Sequence, residues 1–100
     1  MVFHSEVSPQ PVRVGPAAIV VGVADSSGSP VRGANIAIEG VMSHAGMAPV
    51  FGPSKELAPG RYTGHLTFSM AGDWTILLHV TLADGTKLER QMDITRVRAN

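Results

Sequence analysis

No cysteine occurs in this 100-residue chain. That removes disulfides, thiolate metal sites and cysteine nucleophiles together, and leaves the compartment open. Charge is sparse and balanced: eight basic and eight acidic residues cancel. A protein that grips nucleic acid through its phosphates carries a basic excess, so that class is set aside. Aromatic residues make up only 5%, so any core must be mainly aliphatic. No apolar run approaches the roughly 20 residues that a membrane-spanning helix needs. The opening MVFHSEVSPQPVR has neither a basic n-region nor an apolar h-region. It fits a cytosolic protein or one whose targeting segment has been removed. Catalytic signatures are missing too: no Gly-x-Ser-x-Gly elbow, no His-Glu-x-x-His and no glycine-rich phosphate loop. The acidic residues are scattered, mostly at turns or beside basic side chains, and no enzyme is expected.

What the chain does have is punctuation and period-two alternation. Eleven glycines and seven prolines suit many short strands joined by turns. In residues 61–70, Tyr62, Leu66, Phe68 and Met70 share one parity, with Thr63, His65, Thr67 and Ser69 on the other. In residues 74–82, Trp74, Ile76, Leu78, Val80 and Leu82 share a parity. That is strand periodicity. With Ala71-Gly72-Asp73 between them, the two runs read as a hairpin. Residues 17–24, holding Ile19, Val20, Val21 and Val23, read as a buried strand. Ile36 and Ile38 mark another, and Leu88, Met92 and Ile94 a last one over residues 87–97. Asp25 to Pro30 is a loop and Asp84-Gly85 a turn. Residues 41–59 read as irregular, with a short edge strand near Val50-Phe51 and a single turn over residues 54–57. The expectation is an all-β fold, an immunoglobulin-like β-sandwich of six to seven antiparallel strands. It forms one domain over residues 12–98 behind a flexible lead-in over residues 1–11. Trp74 serves as a core plug and Asp73 as a turn residue.

Chemistry concentrates in the irregular stretch. Met42, His44 and Met47 fall within six residues. Thioethers are poor ligands for hard ions and good ones for copper(I), and imidazole accepts either oxidation state of copper. A loop with glycine at 46 can fold two sulfurs and a ring nitrogen onto one ion, and neutral donors suit an ion that is held and released. Met70 and His79 are candidate fourth partners. Each of these residues has a plainer reading. Met42 has the parity of Ile36 and Ile38 and would extend their core face. Met47 would cover a sandwich end. His44 and His79 would be exposed histidines, as would His65.

The chain resembles the YtkA-like domain family, small bacterial immunoglobulin-like modules associated with copper handling. The likeness rests on the strand Ala34-Asn-Ile-Ala-Ile-Glu39, the Met/His loop, Gly60-Arg-Tyr-Thr-Gly64 and Met70-Ala-Gly-Asp-Trp74. It covers about Val14 to Val97. Family members commonly carry a Met-rich loop with a Gly-His step; here the order is Met-Ser-His-Ala-Gly-Met, without that step. The resemblance implies a periplasmic or extracytoplasmic setting and a membrane-associated copper transport or oxidase-assembly partner. Two functions stand as expectations. One is a non-catalytic module holding or transferring copper, copper(I) favoured, through Met42, His44, Met47 and Met70 or His79. The other is a metal-free interaction or structural module of a larger extracytoplasmic assembly.

Overall fold

β-Branched residues and period-two alternation make seven strands in the computed structural model, which describes residues 1–8, 11–42 and 48–99. The strands are β1 (Val2–Ser8), β2 (Gly15–Ala24), β3 (Asn35–Met42), β4 (Val50–Ala58), β5 (Arg61–Phe68), β6 (Gly72–Thr81) and β7 (Lys87–Val97). They form one antiparallel sheet in the order β1-β2-β5-β4-β3-β6-β7. The order groups β1, β2, β5 and β4 against β3, β6 and β7, as in the two sheets of an immunoglobulin domain. Here the groups are not separate. The first half of β4 pairs with β3, from Gly40↔Val50 to Ala37↔Pro53, and its second half pairs with β5 from Ser54↔Gly64 onward. The sheet therefore curls about β4.

Several expectations are corrected. Residues 1–11 are not merely a lead-in: Val2–Ser8 is β1, paired along its length with β2. Its alternation of Phe3, Ser5 and Val7 against His4, Glu6 and Ser8 was too polar to stand out. Residues 50–58 are a nine-residue strand, not a short edge piece followed by a turn. Pro53 is tolerated because it sits where β4 changes partners and a ladder N–H is least needed. The two runs about Gly72 are not a hairpin. β5 lies between β2 and β4, whereas β6 lies between β3 and β7. The connection arches across the core, and Phe68 meets Trp74 edge-on at 5.1 Å between ring centroids and 72° between planes. Period two reports which face is apolar; it does not report the neighbour.

The core lies between the two halves. Ile19, Val21, Ile36, Ile38, Tyr62, Leu66, Phe68, Trp74, Ile76 and Leu78 are all buried there. Each large aliphatic side chain so buried contributes about 1.5–3 kcal/mol. Trp74 is the expected plug. The hydroxyl of buried Tyr62 donates to the Val31 carbonyl at 2.8 Å and accepts from the Ala34 N–H at 3.0 Å. Burial pushes its phenol above the ordinary value; the Ala34 bond opposes this, and the Glu56 charge adds to it.

Close backbone approach marks the corner at β4. A Cβ on Gly52 would overlap the His65 carbonyl oxygen, and one on Gly64 would come 2.7 Å from the Pro53 carbonyl oxygen. At the far edges β1 and β7 run parallel. Arg90 lies 4.9 Å over the Phe3 ring and the Ser5 hydroxyl donates to the Met92 sulfur at 3.1 Å. Beyond these contacts the edges part around a groove of about 650 Å³. They rejoin where the Val14 N–H donates to the Arg98 carbonyl and the Arg98 N–H to the Val12 carbonyl.

A bulge near the end of β7 shifts the pairing from Trp74↔Ile94 to Gly72↔Val97. Arg96 takes a left-handed φ of 60° there, and its N–H donates to Asp73 Oδ1 at 3.0 Å. Asp73 thus latches a neighbouring strand rather than its own turn. The Asp84-Gly85 turn forms as expected, with the Thr86 N–H on Asp84 Oδ1 at 2.9 Å. In the loop after β2, Asp25 accepts from Ser27 Oγ and from the Ser27 and Ser29 N–H groups. These bonds hold both carboxyls below their usual range, Ser27 contributing most at Asp25 and the Thr86 N–H most at Asp84.

Candidate functional site

Among the described residues the candidate ligands Met42, Met70 and His79 divide between two places. Met42 ends β3 and pairs with Trp74 on β6. It is 6% exposed and belongs to the core, since the parity of Ile36 and Ile38 continues through Gly40 without a break in phase. Its methyl group lies over Gly72, where a Cβ would approach it to 3.0 Å. Gly72 also has a φ of 130°, so the turn into β6 has two reasons for glycine.

Met70 stands in the same turn and is 44% exposed. Its backbone carbonyl accepts the Trp74 indole N–H at 2.9 Å. The indole thereby ties the turn to the core: its ring is buried against Phe68 while its polar edge holds the Met70 backbone. Met42 and Met70 therefore share one end of the molecule. The chain leaves β3 at Met42 and enters β4 at Val50, next to this end. His44 and Met47 fall at 43–47, outside the described residues.

His79 is elsewhere. It lies on β6 five positions beyond Trp74 and on the opposite face, a displacement of about 16 Å along the strand. Its Nε2 is 2.8 Å from Glu39 Oε1 and its Nδ1 is 3.4 Å from Glu89 Oε2. The two carboxylates occupy opposite edges of the ring, so they do not converge on one point with it. The structure thus brings Met42 and Met70 to one end and leaves His79 apart from them. His65 is exposed on β5 opposite Ala18. Glu39 and Glu89 were not apparent as partners of His79; the signal is cross-strand register, which sets Glu89 directly opposite His79 and Glu39 diagonal to it, two residues beyond Ala37, and which exists only once β3, β6 and β7 are aligned.

Chemically, the shared end offers thioether sulfur with little competing charge. The nearest carboxylate on β6, Asp73, is engaged by the Arg96 N–H. Such a donor set fits a soft monovalent ion better than calcium, magnesium or zinc. Among the described residues no three His, Asp or Glu side chains are grouped to hold a metal ion, and no helix is long and apolar enough to cross a membrane.

The comparisons with known proteins bear on family and fold. The soluble domain of PmoD from Methylocystis sp. ATCC 49242 (Rockwell) superposes with a TM-score of 0.62 at 13% identity, covering 96% of this chain and 90% of that one. Murine CRIg gives a TM-score of 0.49 at 13% identity, covering 97% and 98%. At these identities the first likeness speaks for the fold alone. The search of curated protein sequences returned no match. The YtkA-like family model matches residues 5–79, reaching further into β1 than the motifs at first suggested and stopping before β7. Three-quarters of the sequence is thereby covered, and the chain belongs to the YtkA-like family.

Proposed function

We propose that this chain is a non-catalytic copper module that holds copper(I) through thioethers and an imidazole at the Met42–Met70 end. The observation that supports the reading is that two methionines from separate elements, the end of β3 and the β5–β6 turn, stand at one end of the molecule about Gly72, where β3 ends at Met42. In this reading Met70, which is 44% exposed, is an accessible donor, and His44 and Met47 supply the imidazole and a further thioether. Met42 contributes its sulfur by a change of rotamer, which an unbranched side chain achieves with little rearrangement. Neutral donors without a thiolate favour reversible holding and exchange with a partner's own sulfur or nitrogen ligands. The family resemblance supports an extracytoplasmic setting and a membrane-associated copper transport or oxidase-assembly partner. It also supports reading the curled sheet as a sandwich.

A metal-free interaction module is the second reading, favoured by the burial of Met42 in the core. Anaerobic copper(I) titration against a competing chromophoric chelator separates the two. The variants are His44→Ala, Met47→Leu and Met70→Leu, with Met42→Leu chosen to remove sulfur while keeping core volume. One-to-one binding that weakens in the His44, Met47 and Met70 variants supports the site. Binding that is absent, or unchanged in all of them, removes it.

A further inference from the structure

The two outer faces of the curled sheet carry opposite charge. On the β4-β3-β6-β7 face, Glu39, Asp73, Glu89 and Asp93 are outward by strand parity, with Lys87 and the His79 ring between Glu39 and Glu89 as the basic exceptions. Among them lie outward Val41 and Leu77, and Phe51, which is 68% exposed. Phe51 pairs directly with Glu39 across the β3–β4 ladder. On the opposite face, outward His4, Lys55, Arg61 and His65 surround a strip of small apolar residues on β2: Ala18, Val20 and Gly22. Glu6 is the acidic exception. Glu39 and Glu89 flank the His79 ring, at 2.8 and 3.4 Å, while among the described residues neither Lys55 nor Arg61 has an ion pair within the chain.

The second face also has a recess of about 200 Å³ over Gly22, bounded by His4, Glu6, Val20 and Arg61. Gly22 forms its floor because it has no side chain, and Arg61 is its direct cross-strand neighbour. A protruding phenyl beside a carboxylate on one face thus corresponds to a recess beside a guanidinium on the other. We propose that copies of this chain associate front to back, with Phe51 of one copy seated over Gly22 of the next and Glu39 facing Arg61.

Such a contact is heterologous. It leaves a free acidic face at one end and a free basic face at the other, so it propagates instead of closing as a symmetric dimer. The molecule measures 39 × 25 × 19 Å. Covering half of its broad face buries on the order of 500 Å² per partner, near the lower limit for a specific interface. A dissociation constant on the order of 0.1–1 mM is expected.

Sedimentation velocity from about 10 µM to about 1 mM tests this. The wild-type weight-average sedimentation coefficient should rise steadily without a dimer plateau, and fall back toward the monomer in about 0.5 M salt. Two variants locate the faces. Phe51→Ser removes the knob. Gly22→Val fills the recess, and the fold accommodates it because a Cβ at Gly22 meets nothing closer than 3.8 Å. The near-ultraviolet signal of Trp74 verifies folding in both.

Each variant alone should be monomeric, its affinity down at least about tenfold. Each nevertheless keeps one intact face, so a mixture of the two should form heterodimers and nothing larger. A wild type that stays monomeric to the highest concentration overturns the proposal. So does a Gly22→Val variant that associates like wild type, or a mixture of folded variants that stays monomeric.

Discussion

Substituting Gly52 by alanine adds one methyl group at the corner where β4 changes partners. The chain approaches β5 so closely there that a Cβ on Gly52 would overlap the His65 carbonyl oxygen and come 3.2 Å from a Leu66 methyl group. The obstructing atom is backbone in a paired strand, so it cannot rotate away as a side-chain tip would. Relief requires β4 or β5 to shift, disturbing the nearby Pro53 and Ser54 contacts. Overpacking of this kind costs about 1–3 kcal/mol and more when backbone must move. Replacing glycine within a strand recovers about 0.5–1 kcal/mol. Because the obstruction is backbone, the upper end of the cost applies, and a net loss of about 2–2.5 kcal/mol is expected, a fall in Tm on the order of 10–20 °C for a domain of this size. Gly22→Ala is the matched control: its Cβ meets only ordinary contacts at 3.8 and 3.9 Å, so it should be neutral or stabilising by up to about 1 kcal/mol. Urea unfolding of both variants, followed through Trp74, measures the difference. If Gly52→Ala proves as stable as Gly22→Ala, the close approach at the corner is not what selects glycine.

Tyr62→Phe leaves the Val31 carbonyl and Ala34 N–H without their partner and should cost about 1–3 kcal/mol by denaturant unfolding. The phenol of Tyr62 is raised by burial, so its contribution is complete below the unfolded value of about 10. It is lost as pH climbs through the folded value, and wild type should lose stability above about pH 10 more steeply than Tyr62→Phe. Asp73→Ala removes the acceptor that holds the Arg96 N–H in the bulge and should cost about 1–2 kcal/mol. Adding Arg96→Gly should recover part of that, because glycine adopts φ near 60° without steric penalty; thermal melts of the single and double variants read this out.

Alternation made β5, β6 and β7 legible, because each buries one face, and the β-branched apolar run at residues 17–24 made β2 legible. The pairing of those strands was not legible. Tyr62 to Phe68 and Trp74 to Val80 look alike whether they hydrogen-bond side by side or face one another across a core. β4 was obscured by Gly52 and Pro53, which read as breakers when they are separated from their setting and as necessities at a corner. β1 was hidden by having only Phe3 and Val7 as apolar inward residues. The soft-donor residue types could be found from composition and spacing. Separating His79 from Met42 needed strand faces and register, and the choice between core packing and ligation at Met42 depended on whether Gly40 broke the phase of β3.

The sharing of β4 between both halves has a mechanical consequence. Two plates held by side-chain contact alone can slide or part, each keeping its own ladder intact. Here every route that separates the halves must also tear backbone hydrogen bonds from β4 on one side or the other. The molecule has a spine instead of a seam. Amide hydrogens in the middle of β2 and of β6 should therefore become exposed in one common opening event, and strain entering where β3 passes to β4 is carried into both halves at once.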